Sequence, residues 1–142
     1  MLLALLVLLL AQLWFALHIA YWVKNNPSST AFMRARLEIL REKNPEAQLR
    51  HQWTPYSRIS PGLKRALIAA EDARFLEHRG FDWDGIRLAW ERNRREGKFV
   101  AGGSTISQQL AKNLFFSGQR TWWRTGQEAA VTVMIESMMS KQ

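Results

Sequence analysis

Residues 66–82 read ALIAAEDARFLEHRGFD, an apolar run interrupted by two adjacent carboxylates, Glu71 and Asp72. Read as one helix, the stretch puts Glu71 four residues after Leu67 and four before Phe75, so the three share a face. Apolar neighbours disfavour a charged carboxylate and raise its pKa. A carboxyl tuned in this way exchanges protons near neutral pH, as a general base must. Asp72 points about 100° further round the helix, where it is placed for a local hydrogen bond near the helix end. Spacing alone leaves a plainer alternative open, in which both acids are solvated and His78 caps the helix.

A second stretch, AGGSTISQQLAKN at 101–113, places two glycines before a helix start at Ser104 or Thr105. A helix N-terminus offers unpaired N–H groups and the positive end of a dipole, which together attract anions. Ser104, Gln108 and Lys112 recur every four residues and form one polar stripe. Ile106, Leu110 and Leu114 form a second, directed at the core. A hydroxyl, an amide and an ammonium in line suit a phosphorylated or sugar ligand. An ordinary Gly-Gly loop with a solvated face remains the bland alternative. The Lys spacing excludes a Walker loop.

A third stretch, QRTWWRTGQEAAVTVMIES at 119–137, sets Glu128 on one stripe with Val131, Ile135 and Met138. Arg120 and Arg124 precede it by eight and four residues. The plain reading of Arg124 and Glu128 is a helical ion pair. Trp122 and Trp123 suit either a core or a membrane surface.

The elements that must carry these groups are nearly all helical. After a polar break, NNPSST, a helix is expected from Ala31 to Lys43, stopping before Pro45. Residues 45–59 read as irregular, with a short extended piece. Ser60 as N-cap and Pro61 in the first turn open the next helix. Gly80 breaks the chain, Asp82 or Asp84 caps a helix ending near Gly97, and a last helix starts near Trp122. Val131, Met134, Ile135, Met138 and Met139 keep helical spacing, so that helix is expected to run to Gln142, as in a domain truncated inside a helix.

Residues 2–23 carry no charge, and only Gln12 and His18 interrupt their apolar character. A run of roughly 20 apolar residues crosses a bilayer core of about 30 Å. Tyr21 and Trp22 at its end suit the interface better than a cleavage site does. Counted literally, Lys24, Arg34 and Arg36 after the run place the bulk of the chain in the cytoplasm. A basic segment missing ahead of the run would reverse that count. The formal net charge of +8 therefore belongs to residues 24–142 and favours an anionic partner: anionic lipid, diphosphate or nucleic acid. With no cysteine there is no disulfide and no thiolate metal site. The division expected is 1–23 anchor, 24–59 linker and helix, and 60–142 the beginning of a catalytic domain.

EDARFLEHRGFD, GGSTISQQLAKN and RTGQE followed by IE resemble, in order and spacing, three motifs of the peptidoglycan glycosyltransferase domain. That domain occurs in monofunctional transglycosylases and class A penicillin-binding proteins. NPSSTAFM after the apolar run is similar to the monofunctional enzymes in particular. The resemblance covers roughly residues 22–142. It implies an all-α, lysozyme-like domain on one transmembrane helix, incomplete at its C-terminus. It further implies a bacterial inner-membrane anchor with the catalytic part in the periplasm. The activity implied is polymerisation of lipid II into glycan strands with release of undecaprenyl diphosphate.

By motif position Glu71 would be the general base, and Glu128 would orient basic residues or help to hold a divalent cation. Substrate binding would fall to Asp72, Phe75 and His78 of the first motif. From the second it would fall to Gly103, Ser104, Thr105, Gln108, Gln109, Lys112 and Asn113, and from the third to Arg120 and Arg124. No cofactor is obligatory on this reading; Mg2+ or Mn2+ would accompany the substrate diphosphate. The partners implied are lipid II, the growing glycan chain, the membrane and other wall-synthesis or division proteins, with no nucleic acid. Thr125 stands where the family usually has lysine, which removes one diphosphate-binding charge. The chain also stops before the family's further helices, so this length is expected to be poorly stable or inactive.

Two alternatives differ in class. A lysozyme-like muramidase or lytic transglycosylase also uses a glutamate, but its substrate has no diphosphate to occupy an anion site. A basic membrane adaptor or nucleic-acid binder fits the charge, yet the Arg92, Arg94 and Arg95 cluster lacks interleaved aromatics.

Overall fold

The computed structural model describes residues 1–118 and 121–141. Among them are six α-helices and no strand: α1 (Leu2–Trp22), α2 (Ala31–Lys43), α3 (Pro61–Glu71), α4 (Trp83–Glu96), α5 (Ile106–Phe115) and α6 (Trp122–Met138). The all-helical expectation holds. In place of the short extended piece expected within 45–59, the chain makes a 3₁₀ turn at Tyr56–Arg58.

Local chemistry sets most boundaries. Thr30, Ser60, Asp82, Thr105 and Thr121 each accept a backbone N–H with their side chain at a helix start. Gly97 closes α4 in the left-handed region at φ 64°.

Two boundaries differ from the sequence reading. α3 stops at Glu71, and Asp72 leaves the helix at φ −163°, so Phe75 does not lie on its face. α6 ends at Met138 with Met139 extended. Lys141 then turns back and donates to the carbonyls of Phe75 and His78.

The core gathers Ile19 of α1, Ala111 and Leu114 of α5, and Val131 and Ile135 of α6. Phe15, Trp22, Phe115 and Phe116 pack around it. On α5 the buried face is Ser107, Ala111 and Leu114. The expected stripe of Ile106, Leu110 and Leu114 is therefore turned: Leu110 is exposed and Ile106 half-buried. α1 is long and apolar enough to cross a membrane, with a mean hydropathy of 2.4 over its most apolar window.

Candidate active site

α3 delivers Glu71 at its last residue, and α5 faces it. The Gln109 amide donates to the Glu71 carboxylate at 3.0 Å. Glu71 lines a cleft of about 220 Å³ with Arg74, Gly102, Gly103, Ser104 and Thr105. Its carboxylate is exposed, so the apolar surroundings expected from Leu67 and Phe75 are absent. Helix termination at Asp72 takes Phe75 off that face, and Leu67, one turn before Glu71, is itself exposed. The first motif and the start of the second nevertheless share one opening.

Asp72 is the buried member of the pair, at 8% exposure. Its carboxylate accepts from His78 Nε2 at 2.9 Å and from the Ile106 backbone N–H at 3.0 Å. The Thr105 side chain accepts from the Gln108 N–H, and Gln108 Oε1 accepts from the Thr105 N–H, a reciprocal capping box. Asp72 thus supplies the negative charge that the α5 N-terminus attracts. The Thr105, Ile106 and Gln108 N–H groups, expected to face a ligand anion, have partners within the protein. Gln108, expected on sugar or phosphate, has its carbonyl oxygen engaged in the cap.

Thr105 is buried and donates to the Gly80 carbonyl at 2.6 Å. Gly80 itself sits at φ 88°, which favours glycine. Gly103 serves close packing: a Cβ there would stand 2.9 Å from Ile86 Cα on α4. The loop before it is clamped by Asn93, which accepts from the Val100 and Ala101 N–H groups at 2.7 and 2.9 Å and donates to the Ala101 carbonyl. Sequence reading passed over Asn93 because it lies inside a basic cluster.

The remaining expected residues separate into two groups. Ser104 is exposed on the cleft rim, and Lys112 is exposed one turn beyond Gln109 on the same flank of α5. Asn113 is half-buried. Phe75 and His78 lie in the turn after α3, not in the cleft. His78 is buried, and its Nδ1 has no partner among the described residues. Arg124 Nε donates to Glu128 at 2.7 Å, and its Nη1 reaches the Ser117 and Gly118 carbonyls. The pair is the helical ion pair of the plain reading, and it also braces the α5–α6 turn. Arg120 lies outside the described residues. No group of three or more His, Cys, Asp or Glu among the described residues is placed to hold a metal. Glu128, committed to Arg124, does not fit a resident cation site.

Arg74, exposed at the cleft mouth, donates to Glu77 and Asp84 and lies 3.3 Å from Asp82. Hydrogen bonds to Glu77 and then Asp84, with the nearby charge of Asp82, push its pKa above the ordinary arginine value. It is a fixed positive charge there.

Glu136 is a further residue that no spacing rule reveals. It accepts from the Ser107 hydroxyl, 29 positions away, and pairs with Lys141 at 3.5 Å. The only sequence signal was its place in the IE dipeptide of the third motif.

Residues 37–142 match the family described as Transglycosylase. The biosynthetic peptidoglycan transglycosylase of Methylobacillus flagellatus is 61% identical over 142 residues, all of this chain and 62% of the relative. Its namesake in Laribacter hongkongensis is 60% identical over 134 residues, 94% of this chain and 59% of the relative. That of Janthinobacterium sp. strain Marseille is 59% identical over 137 residues, 96% and 59% respectively. The chain spans about three-fifths of the length of these curated relatives. With a family match over residues 37–142 and this identity along the chain, the protein belongs to the transglycosylase family.

Proposed function

We propose that the protein carrying this chain polymerises lipid II into peptidoglycan glycan strands, with Glu71 as the general base. The observation that carries the reading is Glu71 itself. It is exposed at a helix end, on the rim of a cleft shared with the GGST segment, and steered by Gln109 at 3.0 Å. In that position Glu71 removes the proton from the 4-hydroxyl of the acceptor's GlcNAc. The freed oxygen bonds to C1 of the donor's MurNAc with inversion, the C1–O bond to the diphosphate breaks, and undecaprenyl diphosphate departs. Negative charge then grows on the leaving group, where fixed cations lower the barrier. Lys112, exposed on α5, and Arg74, which lines the cleft while paired with Glu77, Asp82 and Asp84, are candidate cations for this task.

No obligatory cofactor is needed, because the donor's own diphosphate is the activating group. Mg2+ or Mn2+ enters on that diphosphate as part of the substrate. The apolar helix α1 supports a single-pass anchor; we place it in the inner membrane with the cleft on the periplasmic side, beside other wall-synthesis or division proteins.

The test is a polymerisation assay on the full-length enzyme with lipid II, wild type against Glu71→Gln. The expected loss in rate is about 10²–10⁴-fold. An unchanged rate removes Glu71 from the chemistry. A parallel incubation with finished peptidoglycan separates a muramidase, which alone would degrade it.

A further inference from the structure

The turn after α3, residues 72–80, has little regular structure to hold it. Among the described residues its internal backbone hydrogen bonds run from the Phe75 N–H to the Asp72 carbonyl and from the Glu77 N–H to the Arg74 carbonyl. The Phe75 and His78 carbonyls accept no backbone N–H there, and Lys141 supplies the donor for both. An ammonium carries three N–H donors. That of Lys141 stands among three acceptors: the two carbonyls and the Glu136 carboxylate at 3.5 Å. The centroid of the Phe75 ring lies 4.6 Å from Nζ, within cation–π range. The lysine side chain is only 22% exposed, and a lysine is drawn in so far where its charge is matched. Glu136 ties the junction to the rest of the fold. It accepts from the Ser107 hydroxyl on α5, and a Cβ on Gly80 would stand 3.1 Å from its Cγ.

The same constraint passes through the turn to the cleft. Lys141 holds the His78 carbonyl, and the His78 ring donates to the Asp72 carboxylate. Asp72 directly follows Glu71 and accepts the Ile106 N–H. Glu71 is exposed, with the Gln109 amide at 3.0 Å, so the backbone at Asp72 sets where its carboxylate stands. We infer that Lys141 is a positioning residue for Glu71. It does not line the cleft. It clamps the 72–80 turn to the end of α6 and thereby fixes the backbone from which Glu71 projects. The effect on catalysis rests on the glycosyltransferase reading above; the clamp itself does not.

The test uses the full-length protein in detergent, with Lys141→Met and Lys141→Arg. Amide hydrogen exchange is read peptide by peptide by mass spectrometry. In Lys141→Met, exchange at residues 72–80 is expected to quicken about tenfold while α5 and α6 stay unchanged. Lys141→Arg keeps the charge and the donors, and is expected to retain most of the protection. Unchanged exchange in the turn, or equal quickening throughout α5 and α6, overturns the clamp. With lipid II as substrate, Lys141→Met is expected to lower kcat by roughly tenfold with KM nearly unchanged, through misplacement of the base. Lys141→Arg is expected to recover most of that rate. An unchanged kcat, a matching change in KM, or no recovery with arginine overturns the positioning role. If wild type itself does not polymerise lipid II, the glycosyltransferase reading fails, and the exchange still decides the clamp.

Discussion

The two flanks of the cleft are held by different forces. α1, α5 and α6 bury Ile19, Ala111, Leu114, Val131 and Ile135 against one another. α3, which presents Glu71, buries no residue at all, and α4 buries only Ala89. The flank carrying Gln109 and Lys112 is therefore fixed by apolar packing. The flank carrying Glu71 is tied to it by polar bonds: Asp72 to the Ile106 N–H, Thr105 to the Gly80 carbonyl, and Gln109 to Glu71. Apolar packing is non-directional, whereas a hydrogen bond specifies position and angle. A polar joint is thus suited to setting a carboxylate at a defined place on a helix that has little core of its own.

The sharpest way to break this contrast is at Asp72. Asp72→Ala strands the buried His78 Nε2 and the Ile106 N–H together. The expected loss is about 3–4 kcal/mol of stability, read by urea unfolding in detergent through tryptophan fluorescence. Glu71→Gln, one residue earlier, is expected to leave stability within about 0.5 kcal/mol, as for a surface change. Near-equal effects of the two would mean that the joint is not at Asp72. Second in size is Leu114→Ala in the packed flank, expected to cost about 2–3 kcal/mol through lost burial and the cavity left behind. A value below about 1 kcal/mol would show that the α1–α5–α6 core does not hold its flank.

The helix starts were legible because a cap is local. Ser60, Asp82 and Thr105 each bond an N–H three residues on, within any sequence window. The end of α3 was not legible. Periodicity carried the helix through to Phe75, but Asp72 leaves it to bond a backbone N–H 34 positions away. Nothing near residue 72 announces that partner. The same gap in range hid the Ser107–Glu136 bond and turned the α5 stripe, since an apolar pattern says which residues are greasy and not which side meets α6. Motif position singled out Glu71, which lines the cleft, but the desolvation expected on a helical face is absent there because Glu71 is exposed. The Asp72 contact at the start of α5 was hidden for a related reason: a helix N-terminus reads the same in sequence whether a ligand or the protein's own carboxylate meets it.

Gly103 tests the seam between α4 and the loop before α5. Its Cβ in Gly103→Ala would stand 2.9 Å from the Ile86 Cα, and a backbone atom cannot rotate away as a side-chain tip does. The expected cost is about 1–2 kcal/mol from the forced shift, with a matching loss of lipid II polymerisation as Ser104 moves on the rim. Unchanged stability with lost activity would place Gly103 in substrate contact instead.

The smallest expected effect is the most discriminating for the comparison. Leu67 lies one turn before Glu71 on α3 and is 54% exposed, lining an open apolar groove with Leu63 and Phe75. If polar bonds alone hold this flank, Leu67→Ala removes little buried area, and its unfolding free energy should fall by no more than about 0.5 kcal/mol. The same leucine-to-alanine deletion at Leu114 is expected to cost several times more. Because the chemical change is identical, the ratio isolates the environment from the residue. A ratio near one would mean that Leu67 is covered in solution, and that apolar packing holds Glu71 in place after all.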